Sequence, residues 1–133
     1  MCGSFCTFSH CFEVLDELKR LGAEIVPIMS FNAYSIDTRF GKAREHIKRL
    51  EETCDRKVIH TIEDAEPIGP KNLTDIMLVA NCTGNTLAKL ANSITDTAVI
   101  VKRKRDNVFR IYLLSLKTLW VIRAVNMFKY KIY

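Results

Sequence analysis

Four neighbouring residues, Thr83, Gly84, Asn85 and Thr86, put two hydroxyls, a carboxamide and a bare backbone position directly after the apolar run Ile76 to Ala80. A loop of this kind between a strand and a helix presents backbone N–H groups to a phosphate or to a flat cofactor. Gly84 lets a ligand approach the main chain, and Thr83, Asn85 and Thr86 lie near the positive end of the following helix. The same residue types also cap helices, and on that reading Asn85 or Thr86 is simply the cap. Arg39 is a second candidate, because a guanidinium grips a carboxylate through two parallel hydrogen bonds. The plainer reading of Arg39 is a solvated charge at the start of the next helix.

The elements that must hold these groups follow from periodicity. Ile76, Leu78 and Ala80 alternate with Met77 and Val79 with no charge among them and Asp75 just before, the pattern of a strand buried on both faces of a parallel sheet. Leu87, Leu90, Ala91 and Ile94 recur at helical spacing, so a helix begins near Asn85 or Thr86. Upstream, Phe12, Leu15, Leu18 and Leu21 trace one helix closed by Gly22, with Ser4 or Ser9 as a possible cap and Glu13 near a capping-box position. Glu24 to Met29 reads as a strand, with Pro27 implying an edge or bulge, and Ser30 to Gly41 is the loop at its carboxyl end, where ligands bind in parallel sheets. Lys42 to Thr53 forms an amphipathic helix with Ala43, Ile47 and Leu50 inward, Lys48 paired with Glu52, and His46 on the solvated face. Val58 to Ile62 reads as a short strand carrying His60 as a satisfied core or surface residue, Glu63 to Lys71 as a loop, and Ala98 to Val101 as a further buried strand.

The string NCTGNTLAKLANSITDTAV resembles the cofactor loop of the flavoprotein family that includes flavin-dependent cysteine decarboxylases. Thr83, Gly84, Asn85 and Thr86 fall on that family's loop, and Ala88, Lys89, Ala91, Asn92 and Asp96 on its helix. Asn81 departs from the proline usual at the start of the loop and Cys82 from the usual small residue, which implies a looser backbone there. GSFCTF near the start, FNAYSIDTRFG after the second strand and AEPIGPK before the loop occur in the family's order, so the resemblance spans about Cys2 to Val101.

The resemblance implies a three-layer, Rossmann-like or flavodoxin-like parallel sheet flanked by helices, and FMN as cofactor. Gly3, Ser4 and Thr7 match the first loop, where backbone amides and a hydroxyl hold the flavin phosphate. Ser30 and Phe31 approach the isoalloxazine, while Asn32, Ser35, Thr38 and Arg39 shape the pocket mouth. Asn85 orients the flavin ring or the substrate, and Thr83, Gly84 and Thr86 hold the cofactor. The Thr-Gly-Asn variant narrows the match to a branch that works in the cytoplasm of sporulating bacteria. There it oxidises a dihydrodipicolinate-like dicarboxylate, as a homo-oligomer with a second, nucleotide-binding subunit. Arg39 would then clamp a substrate carboxylate. The Gly84 variant and the lack of a recognisable catalytic histidine count against a decarboxylase, and a purely assembly-holding role is the remaining alternative.

Composition bounds this picture. The chain has 133 residues, 48% of them hydrophobic, enough for one modest core. Its net charge of +5 is unevenly placed: residues 1–101 hold 11 basic and 14 acidic residues, a net of −3, and residues 102–133 hold nine and one, a net of +8. That second stretch has no glycine or proline and reads as a basic amphipathic helix outside the family pattern. A frame-shifted reading of the gene after Val101 accounts for a simultaneous change in composition, charge and similarity, and the family strand expected before Gly3 is missing, so the sheet is expected to be incomplete. The domain thus runs from 1 to 101 and a tail from 102 to 133. Cys2, Cys6, Cys11, Cys54 and Cys82 include no Cys-x-x-Cys pair and no histidine at finger spacing, which excludes a recognisable metal site and points to reduced, packed thiols, although Cys2, Cys6 and Cys82 fall in the site loops. No signal peptide or bilayer-length apolar run is present, and a cytoplasmic protein is expected.

Overall fold

The structure, a computed structural model, describes residues 1–68, 70–71, 74 and 76–100, and the backbone of 110–114. Asp75 and Val101 lie outside the described residues, as does most of the basic tail. A 3-10 turn, Phe5–Thr7, leads into α1, Phe8–Arg20, followed by α2 (Phe31–Ser35), α3 (Ala43–Cys54), α4 (Ile62–Ala65), a second 3-10 turn (Glu66–Ile68), β1 (Ile76–Ala80), α5 (Gly84–Ala91) and β2 (Arg110–Leu114).

Helix α1 ends as its sequence demands. Gly22 adopts φ +83°, its N–H bonds the Lys19 carbonyl at 3.0 Å and the Ala23 N–H reaches the Leu18 carbonyl at 3.1 Å, which is the paired bonding of a Schellman motif. Its start differs from expectation: Thr7, not Ser4 or Ser9, precedes the first helical residue and supplies no capping side chain, while Glu13 bonds His10 instead. Helix α3 lies where expected, with Ala43 and Leu50 buried and Lys48 facing Glu52 at 3.7 Å. Its first turn is anchored from outside the helix, since the Asp37 carboxylate accepts the Ala43 N–H at 2.8 Å. Arg49 crosses to Asp16 on α1 at 3.2 Å and lies over the Phe12 ring at 4.2 Å, tying the two helices together.

The expected strands at 24–29 and 58–62 are reduced to a single parallel bridge between Ile28 and Ile59. The Met29 N–H bonds the Ile59 carbonyl and the Ile59 N–H the Pro27 carbonyl, both at 2.9 Å. Pro27 has no N–H to extend the ladder, and Thr61 turns the chain at once into α4 by accepting the Asp64 N–H at 3.2 Å. On the other side of the same segment, the Met1 amino group donates to the Ile28 carbonyl and the Ser30 N–H donates to the Met1 carbonyl. Residues 27–30 are therefore flanked by Met1 on one edge and Ile59 on the other.

Strand β1 forms as expected and pairs in parallel with β2, with Val79 opposite Leu113. Two expectations fail here. Only Val79 of β1 is fully buried and Ile76, at its start, is 40% exposed, so the strand is covered unevenly instead of on both faces. The tail's pattern predicts a helix, yet Arg110–Leu114 is a strand, since the run Ile111 to Leu114 suits a pleated pairing with β1. The three-layer sheet expected from the resemblance reduces, among the described residues, to this two-stranded sheet and the Ile28 to Ile59 bridge. Ala98, Val99 and Ile100 are buried as foreseen but form a turn, closed by the Ile100 N–H on the Thr97 carbonyl at 3.0 Å, instead of a strand.

Three apolar clusters hold the elements. Phe8, Phe12, Met29, Ala33, Leu50 and Val58 join α1, α2 and α3; Cys2, Val79 and Val99 join the first residues to β1; Ala65, Ile68 and Ala98 close the far side. No helix among the described residues is long and apolar enough to cross a membrane.

Candidate functional site

Three loops that are far apart in sequence converge. A Cβ built on Gly3 would stand 3.7 Å from the Asn32 Cβ, which brings the first turn against α2. The third loop is tied to the first by Asn81, a buried residue whose Oδ1 accepts the Cys2 N–H at 3.0 Å. Its Nδ2 donates to the Ser4 carbonyl and, at 2.9 Å, to the Thr7 Oγ1. The looser backbone expected from the missing proline is thus replaced by a side-chain clasp. Nothing in the composition of the string marks Asn81 as a clasp, because its partners lie more than 70 residues earlier.

Within the first loop, Thr7 is buried and its hydroxyl is committed internally: it donates to the Ser4 carbonyl at 2.8 Å while receiving the Asn81 amide. Ser4 is partly exposed, with its Oγ 3.9 Å from the Cys6 Sγ. Phe5 and Cys6 open the three-residue 3-10 turn, and Ser4 at its N-cap supplies no capping side chain.

In the second loop, Ser30 caps α2, its Oγ accepting the Ala33 N–H at 3.4 Å, and Phe31 stands 69% exposed beside it. Arg39 occupies the tip of a tight turn closed by reciprocal Thr38 and Gly41 backbone bonds of 3.1 Å. Its guanidinium is exposed and stacks on Phe40 at 4.8 Å. The structure does not bring Arg39 into contact with the other two loops among the described residues.

In the third loop, the capping expectation is met by a different residue. Thr83, not Asn85 or Thr86, is the N-cap of α5, and its Oγ1 accepts the Thr86 N–H at 3.2 Å and pairs with the Thr86 hydroxyl at 2.9 Å. That arrangement leaves Gly84 and Asn85 exposed at the helix start, and a Cβ on Gly84 would meet nothing within 4 Å. The chain's own packing does not require glycine there, so the open space suits a ligand lying against the backbone. At the far end of α5, Lys89 reaches Asp96 at 2.6 Å, and this hydrogen bond holds the Asp96 carboxyl below its usual range.

Two histidines stand apart from their expected places. His46 is packed instead of solvated, edge-on to Phe8 at 4.9 Å and stacked on Phe12 at 5.9 Å, with a buried Nε2 that has no partner among the described residues. Burial pushes its pKa down, with Glu45 opposing and Arg49 reinforcing the shift. His60 lies flat on Tyr34 at 3.6 Å, and its Nδ1 is buried without a partner among the described residues, so it is not the satisfied histidine expected. The stack fastens α2 to the segment after Ile59; neither the His60 nor the Tyr34 context in the sequence signals it. Cys2 and Cys11 are buried and Cys82 is partly so, and burial pushes the Cys11 and Cys82 thiols up, which makes both poor nucleophiles and matches a packing role. No group of residues suited to hold a metal occurs among the described residues.

Residues 1–131 match the flavoprotein family. The dipicolinate synthase B subunit of Bacillus subtilis (strain 168) is 42% identical over 102 residues, which cover 77% of this chain and 51% of that protein. The crystal structure of the dipicolinate synthase B subunit from Bacillus halodurans C superposes with a TM-score of 0.62 at 34% identity, covering 74% of this chain and 50% of that one. The chain spans about half the length of these relatives. A flavin is the cofactor that the family implies, and the start of α5, capped by Thr83 beside the unobstructed, exposed Gly84 backbone, fits such a group. The chain belongs to the flavoprotein family.

Proposed function

We propose that the chain is the B subunit of a dipicolinate synthase, holds FMN and takes part in oxidising a dihydrodipicolinate to dipicolinate. The observation that carries this reading is the convergence of three loops, with the Asn81 carboxamide clasping Cys2, Ser4 and Thr7 next to the Thr83 to Thr86 turn. Two sets of helix-start N–H groups then serve one elongated anionic cofactor. The similarity to two B subunits of this enzyme supports the substrate class.

In this reading the turn from Gly3 to Cys6 takes the phosphate, while Thr7 shapes that turn from inside through its two hydrogen bonds. Ser30 fixes α2 so that Phe31 forms an apolar wall for the ring. Thr83 and Thr86 hold the turn that exposes the Gly84 backbone, and Asn85, exposed at the helix start, orients the ring or the substrate. The chemistry supplied by bound FMN is acceptance of the two electrons that leave the dihydropyridine ring. Arg39, on its turn, neutralises a substrate carboxylate; its stack on Phe40 keeps the guanidinium plane preoriented. The flanking of residues 27–30 by Met1 and Ile59, with β1 packed near Cys2 and paired to β2, matches the order of a doubly wound parallel sheet whose loops bind ligands at the carboxyl ends. The assembled enzyme includes a nucleotide-binding A subunit together with several copies of this chain, in the cytoplasm of a sporulating mother cell.

The test is to assemble the chain with the A subunit of a dipicolinate synthase and follow dipicolinate formation in the ultraviolet. Product formation that depends on both chains supports the reading, and assembly without turnover leaves only a scaffolding role. Replacing Arg39 by Ala should raise KM while leaving kcat within about threefold, since one charge-assisted contact is worth about 1.5–3 kcal/mol of binding. Unchanged KM removes the clamp.

A further inference from the structure

An asparagine carboxamide has one acceptor oxygen and two N–H donors. Asn81 uses the oxygen and its amide nitrogen entirely on the first loop: Oδ1 takes the buried Cys2 N–H, and Nδ2 serves both the Ser4 carbonyl and the Thr7 hydroxyl. The residue is 5% exposed, so this side chain does not face the space where a ligand lies. It is also the last residue before Cys82 and Thr83, the N-cap of α5. One buried side chain thereby ties the turn at Cys2, Ser4 and Thr7 to the loop that opens α5. Those backbone segments share no main-chain hydrogen bond among the described residues.

We propose that Asn81 is a positioning residue that fixes the spacing of the two flavin-holding loops, so that preference for the phosphorylated flavin depends on a side chain that does not touch it. The inference rests on the flavin reading above. A ligand that bridges two donor sets gains from the second set only when their spacing is preset. FMN bridges both, and riboflavin, lacking the phosphate, engages one. Loss of the clasp therefore weakens FMN binding selectively.

The experiment titrates the full chain with FMN and with riboflavin by flavin fluorescence, in the unaltered protein and in Asn81→Ala and Asn81→Asp. Aspartate keeps the acceptor for the Cys2 N–H but loses both donors and sets a carboxylate against the Ser4 carbonyl. Amide hydrogen exchange over residues 2–8 and circular dichroism report the clasp and the fold. The expected result is a roughly tenfold or greater rise in the FMN Kd for both variants, with the riboflavin Kd within about threefold and faster exchange at Cys2. Equal loss for both ligands, an unchanged ratio of their affinities, or variants that fail to fold would assign Asn81 to the fold alone and overturn the proposal. Failure of the unaltered chain to bind either flavin would instead overturn the flavin reading.

Discussion

Replacing His46 by Leu should separate the acid sensitivity of this fold from its stability at neutral pH. In the folded chain the imidazole lies between Phe8 and Phe12, and its Nε2 is buried without a partner among the described residues. A buried polar atom of this kind costs about 1–3 kcal/mol, whereas the aromatic contacts that leucine forfeits contribute about 0.5–1.5 kcal/mol. The two terms nearly offset at pH 7.5, so the variant should lie within about 1 kcal/mol of the parent there. The pH dependence does not offset. Burial lowers the folded pKa of His46 below its ordinary value, so the unfolded chain takes up this proton first as the pH falls. The neutral ring's full contribution is present above the unfolded pKa, and it declines as pH falls from there to the lowered folded pKa. Urea unfolding followed by circular dichroism at pH 7.5 and 5.5 measures both quantities. The parent should lose more stability between those values than His46→Leu, since all other titrating groups are common to the pair. Equal losses would refute the packed, neutral histidine.

Two further outcomes follow from the same geometry. Gly41 sits at φ +134° and a Cβ there would approach the His46 Nε2 to 2.7 Å, with the ring wedged against Phe8 and Phe12 and unable to retreat; Gly41→Ala should lower stability by about 2 kcal/mol, read as a fall of several degrees in Tm. Thr83→Val removes the oxygen that caps α5 while keeping its volume, and should cost about 1 kcal/mol in urea unfolding together with faster amide exchange at Thr86.

The helices are legible in the sequence because their signals are local. Gly22 after Leu21 marks a helix end that its positive φ enforces, and Ala43 and Leu50 recur at the spacing that α3 buries. The Thr-Gly-Asn-Thr loop is legible for a similar reason, although the cap is Thr83, ahead of the expected Asn85 or Thr86. What escapes is long-range. Asn81 reads as a departure from a family pattern, yet it joins segments more than 70 residues apart. His46 sits on the polar side of the α3 pattern, yet α1 and the Gly41 turn fold over it, a burial that no periodicity within one helix reports. The strands expected at 24–29 and 58–62 shrink to one bridge because Pro27 lacks a donor and Thr61 caps a helix, so apolar content alone overstates their length.

If this chain gathers two helix starts around one phosphorylated flavin, the most direct test is to titrate the unaltered protein with FMN against riboflavin and follow quenching of flavin fluorescence. Saturable uptake of one FMN per chain is predicted, with at least about tenfold preference over riboflavin, corresponding to about 1.4 kcal/mol from the phosphate. Absence of saturable uptake, or equal affinity for the two flavins, would contradict it.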